Sequence, residues 1–113
     1  MGMSERITSY QEFWPYYLRE HSKPACRKLH FFGTTLAILS LIAAIWLQWP
    51  WLILLALVAG YGPAWVAHFF IEHNRPATFK YPFWSLYSDF RMYFCWLGGK
   101  LPAELRKAGV MAT

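Results

Sequence analysis

The sequence predicts an all-α integral membrane bundle, built on a transmembrane helical hairpin with flanking interfacial helices. Three observations carry that expectation. Hydrophobic residues make up 57% and aromatic residues 20% of the 113 positions, against only 15% charged, well short of the roughly 25% with which an ordinary soluble domain covers its surface. The 43 residues between Lys28 and Glu72 carry no formal charge; at about 20 residues per span they hold two spans and a turn. The turn itself is marked, because Gln48-Trp49-Pro50 interrupts the run with a polar residue, an interfacial ring and a helix breaker. The length bounds the chain to one domain over residues 1–113. A soluble core hairpin is set aside because so short a chain could not wrap two such helices on every side.

In chain order, residues 9–20 (SYQEFWPYYLRE) are expected to form an interfacial helix with its Trp and Tyr rings at headgroup level. His21-Ser22-Lys23 reads as a turn, and Pro24 suits the first turn of a long helix over 24–48. A second helix is expected over 51–73, where Gly60, Gly62 and Pro63 mark a kink or a close helix contact. Asn74-Arg75-Pro76 ends it, since the residue before a proline leaves helical geometry. Residues 79–97 are apolar and aromatic but carry Asp89 and Arg91 near the middle, which lipid would penalise. They are expected to lie along the interface or against the hairpin, with a third full span as the alternative. Gly98-Gly99 stops that segment, and residues 100–113 form a short cationic tail, read as a frayed surface helix.

Eleven basic residues against six acidic ones give a formal charge of +5. On so apolar a chain this points to a membrane surface rather than to nucleic acid. The hairpin turn has no Lys or Arg while both flanks are rich in them, so both termini are expected on the cytoplasmic side. Cys26 and Cys95 are then expected as reduced thiols. The first 30 residues lack the apolar run and cleavage site of a signal peptide.

The four histidines are the chemistry-bearing residues. Relative to Trp49, His30 lies 19 residues before and His68 19 residues after. In an antiparallel pair of helices, equal separations mean equal depth. His21 and His73 flank them on the same side, and Glu72 shares a helix face with His68 four residues earlier. Imidazole with carboxylate is a ligand set for iron, zinc, copper or nickel, and two histidines with a carboxylate suit oxygen-activating ferrous iron. The plainer reading of each histidine is an amphipathic ring among headgroups. No C-x-x-C or H-E-x-x-H spacing indicates structural zinc or a metalloprotease, and no G-x-S-x-G turn indicates a hydrolase. Arg75 beside Asn74 offers a planar fork for a carboxylate or a headgroup phosphate. Asp89 could orient a histidine through its second nitrogen, or make an ordinary structural hydrogen bond.

Two segments, EHSKPACRKLHFFGT (20–34) and AHFFIEHNRPATFKYP (67–82), joined by the apolar hairpin, resemble the small membrane proteins related to the fungal 2-hydroxy fatty acid dioxygenase. The likeness covers roughly residues 10–97, including W-S-L-x-x-D-F-R-M at 84–92. Its motifs fall on His21, His30, His68, Glu72, Arg75, Pro76 and Ala77. Ala67 stands where glycine is usual, Lys23 where asparagine is usual and His73 where lysine is common, so the family lends His73 no support as a ligand. The resemblance implies a bacterial-type inner-membrane protein acting with Fe(II) and molecular oxygen on a membrane-borne 2-hydroxy fatty acid, shortening it by one carbon through α-oxidation. On that reading His21, His30 and His68 bind Fe(II), with His73 the least supported of the four. Glu72 is a fourth ligand or base, and Arg75 helps to hold the carboxylate. The alternatives at this level are a non-catalytic membrane protein holding a metal or haem, and a membrane assembly protein. Oligomeric state stays open.

Overall fold

The computed structural model describes residues 6–110; both termini, whose cytoplasmic placement the charges predict, lie outside the described residues, as do residues 111–113 of the cationic tail. Among the described residues the chain is helical throughout, without strands. The first helix, α1 (Tyr10–Arg19), starts where the Ser9 hydroxyl accepts the Glu12 amide at 3.3 Å, and Glu12 complements the positive helix end. Pro15 lies inside it. A four-residue turn then delivers Pro24 to the first position of α2 (Pro24–Leu47), which needs no amide there. Gln48 closes α2 in the left-handed conformation at φ 56°, and α3 (Trp51–Val66) returns antiparallel to it.

The close packing of α2 on α3 has a specific cause. Pro63 has no amide, so the Ala59 carbonyl one turn earlier loses its helical donor. Gly33 of α2 packs against that carbonyl so tightly that a Cβ would stand 2.6 Å from the oxygen and 3.2 Å from Pro63 Cγ. One turn on, Gly60 faces Ala37. Gly60 and Pro63 therefore lie at the expected close contact, whereas Gly62 faces outward with nothing within 4 Å of an added Cβ. Gly33→Ala is expected to cost about 1–3 kcal/mol through overpacking against backbone, read as a lower unfolding midpoint in detergent; Gly62→Ala is the control that should not lose stability.

Beyond Val66 the helix widens into a π segment, Ala67–Glu72, ended by His73 at φ 60°. After a single 3-10 turn, α4 (Pro82–Leu97) begins on a proline, and α5 (Leu101–Lys107) follows Gly98-Gly99. The aromatic face of α1 is where structure and expectation differ. Phe13, Trp14, Tyr17 and Leu18 are buried against α4 and α5, not turned to headgroups. Trp14 Nε1 donates to Glu104 at 2.8 Å while the Arg91 guanidinium covers its ring at 4.1 Å, and Tyr10 bonds Ser88 at 2.8 Å. Burying that much ring area within the protein outweighs leaving it at an interface. The tail is likewise docked rather than frayed, through Leu101, Leu105, Ala108 and Val110.

Pro24–Leu47 and Trp51–Glu72 are both long and apolar enough to cross a membrane. Their 24 and 22 residues correspond to about 36 and 33 Å. Much of their surface away from the cluster is bare and apolar, with Ile45 and Trp46 80% and 84% exposed. The packed cluster lies at the other end, where α1, α4 and α5 enclose the start of α2.

Candidate metal centre

At that enclosed end, three elements each deliver one imidazole. His21 follows the end of α1, His30 is on the second turn of α2, and His68 is in the π segment. All three are buried, at 1%, 4% and 2% exposure. His21 Nε2 stands 3.1 Å from His30 Nε2 and 3.1 Å from His68 Nε2. One ligand nitrogen from each lies within 4.8 Å of the other two.

The opposite ring nitrogens explain the orientation. His21 Nδ1 is 2.6 Å from the Tyr17 carbonyl, His30 Nδ1 2.9 Å from the Cys26 carbonyl, and His68 Nδ1 2.7 Å from Asn74 Oδ1. The Asn74 amide is itself oriented, because its Nδ2 donates to the Glu20 carbonyl at 3.1 Å. Each of these oxygens can only accept, so each Nδ1 carries the proton and each Nε2 is left with a lone pair. Burial, and then the neighbouring His30 and His68, hold His21 well below the ordinary imidazole range. Neutral imidazole is the form a metal needs. Three lone pairs thus converge in a buried space with no proton to share, an arrangement that a cation resolves.

The loop carrying His21 is clamped from both sides. Arg27 donates to the His21 and Ser22 carbonyls at 2.8 and 3.0 Å. The Lys23 ammonium donates to the Ile71 carbonyl at 3.0 Å. Glu72 accepts the Lys23 amide at 2.7 Å and the Ser22 hydroxyl at 3.1 Å. The structure therefore brings together His21, His30 and His68 and leaves the other predicted site residues apart. Glu72 spends its oxygens capping the start of α2, an anion at the positive end of a helix. His73 and Arg75 are exposed, because the left-handed turn at His73 carries the chain out of the π segment.

A cavity of about 20 Å³ adjoins the triad, with Tyr17, Tyr61, Ser85 and Asp89 in its wall. Tyr17 stacks on His21 at 4.1 Å between ring centres and donates its hydroxyl to Asp89. Burial pushes the Asp89 carboxyl up to about 7, against the lowering effect of that bond, and burial followed by Asp89 pushes the Tyr17 hydroxyl well above its ordinary range. Asp89 thus reaches the site through Tyr17 and not through a histidine nitrogen. Cys26 and Cys95 are free thiols.

Asn74 and Tyr17 are the contributors that sequence reasoning missed. Six residues separate Asn74 from His68, a spacing that faces nothing on an α-helix. The π segment and the turn at His73 bring them together, and the Asn74 backbone N–H donates to the His68 carbonyl at 2.9 Å.

Residues 7–101 fit the family described as 2-hydroxy-palmitic acid dioxygenase Mpo1-like. No curated protein and no solved structure matches the chain.

Proposed function

The chain belongs to the 2-hydroxy-palmitic acid dioxygenase Mpo1-like family, and on that premise we propose that it is an Fe(II)-dependent dioxygenase that shortens 2-hydroxy fatty acids by one carbon. The observation that carries the reading is the convergence of His21, His30 and His68 through Nε2, each with its Nδ1 held by an acceptor oxygen. This donor set fits ferrous iron. A haem fits poorly, since nitrogens drawn within 4.8 Å of one another leave no slot for a porphyrin among them.

Bound there, ferrous iron supplies the oxygen activation for cleavage of the C1–C2 bond. One 2-hydroxy acid and one dioxygen balance as the shortened acid, carbon dioxide and water, so the substrate provides all the electrons and no nicotinamide or flavin is required. The chain's own residues set the conditions. Tyr17, Cys26 and Asn74 fix the imidazole tautomers, and Arg27, Lys23 and Glu72 hold the His21 loop in register with His68. The near-complete burial of the three rings excludes bulk water. Exposed Arg75, next to Asn74, meets the acid's carboxylate at the rim. The α2–α3 pair spans the bilayer with the triad at the cytoplasmic face, as the basic flanks favour.

The test is anaerobic loading with Fe(II) and 2-hydroxypalmitate, followed by oxygen. Consumption of one dioxygen per shortened acid supports the reading. Full iron loading with neither oxygen uptake nor product would leave a non-catalytic metal protein in its place.

A further inference from the structure

Three neighbouring cavities follow one another from the triad along the α2–α3 pair, each sharing wall residues with the next. The small cavity at the histidines shares Tyr61 and Asp89 with a second, an open groove of about 240 Å³ lined by α2, α3 and α4. The second shares Leu41 and Ile53 with a third of about 320 Å³ that reaches Gln48 and Pro50 at the turn. The eleven helical steps from Tyr61 back to Pro50, at the start of α3, cover about 16 Å. Small side chains keep the middle of the path open, with Ala37, Ala56 and Gly60 in its wall. Its walls are mostly apolar away from the histidines, with Leu41, Leu57 and Ile53 among them, while Ser85 and Asp89 lie at the histidine end.

One of those polar groups has no use within the fold. Ser85 is 3% exposed, and its Oγ is buried with no hydrogen-bond partner. Asp89 lies four residues on, so the two share the face of α4 that closes the triad cavity. Asp89 is engaged by Tyr17. Buried hydroxyls are seldom left without a partner, and this one borders the space where the polar end of a chain in the groove would lie.

Resting on the dioxygenase reading, we propose that the groove between α2, α3 and α4 is an acyl-chain site whose polar mouth is formed by Ser85 and Asp89. Ser85 Oγ bonds the 2-hydroxyl and so selects hydroxylated over plain fatty acids. The alkyl chain runs past Tyr61 and Gly60 toward Leu41 and Ile53. Ser85 is thus a specificity-determining residue, and Gly60 keeps the path open.

The test uses Zn(II)-loaded protein in detergent, which cannot turn over, with radiolabelled 2-hydroxypalmitate and palmitate as probes and metal content as a check of the site. Wild-type protein is expected to bind the hydroxy acid about tenfold more tightly. Ser85→Ala should bring the two affinities together with palmitate binding and metal content unchanged, and Ser85→Thr, which keeps the hydroxyl, should retain the preference. Gly60→Val should weaken both acids about tenfold, while Gly62→Val, on the outward face, should bind as wild type. A preference untouched by Ser85→Ala, or both acids binding normally to Gly60→Val, would overturn the proposal. Because no oxidation is read, binding in the expected pattern by a chain that oxidises nothing would overturn the dioxygenase reading alone.

Discussion

A His30→Ala, His68→Ala double variant is expected to fall from one bound metal ion per chain to background, with complete loss of oxygen consumption. The two rings come from different helices and meet across His21, so removing both leaves one imidazole, which cannot hold an ion alone. A second readout separates loss of the site from loss of the fold. A metal that binds only the native state raises stability by about 2.7 kcal/mol at a hundredfold excess over its Kd. Wild-type protein should therefore unfold at a higher temperature when metal is added, and the double variant should not respond. In metal-free protein the same variant removes the facing lone pairs, so its own midpoint should fall less than two large-to-small core changes would suggest. Retention of a full complement of iron would place the metal elsewhere.

Asn74→Leu is expected to weaken metal binding about 10- to 100-fold without removing any ligand. Asn74 Oδ1 receives the His68 Nδ1 proton, and its Nδ2 ties the His68 end of the site to the Glu20 carbonyl beside His21. Leucine keeps the same branched skeleton, though it is bulkier, and has neither group. It leaves a buried imidazole N–H unsatisfied, a cost of about 1–3 kcal/mol, and frees the His68 ring to turn. Asn74→Asp keeps the acceptor for the His68 Nδ1 proton but loses the donor to the Glu20 carbonyl, so its metal affinity should fall less than that of the leucine variant. The comparison is made by metal competition titration. Equal affinities for all three proteins would remove Asn74 from the site.

Much of the architecture is legible in the sequence because it depends on strong, local signals. A charge gap from residue 29 to residue 71, broken at Gln48-Trp49-Pro50, reports two long apolar helices and the turn between them, and Gln48 is indeed the left-handed end of α2. The matched depth of His30 and His68 follows from the same register. What stays hidden depends on contacts that no period encodes. The aromatic face of α1 carries the same residues whether it meets headgroups or α4 and α5, so its burial could not be read from composition. The four-residue spacing of Glu72 from His68 suggests a shared face. The π segment alters that register, and two donors at the start of α2 claim its carboxylate. Asn74 gains its place only through the same departure from α geometry. Ser85 is conspicuous only once its missing partner is seen.

The central claim is that three histidine Nε2 atoms hold one metal ion at the enclosed end of the bundle. X-ray absorption spectroscopy of the Fe(II)-loaded protein tests it most directly. Multiple scattering from three imidazole rings is predicted for the wild type and from two for His21→Ala, with the His73→Ala spectrum unchanged. Sulfur scattering, or an imidazole count that His21→Ala leaves as it was, would contradict it.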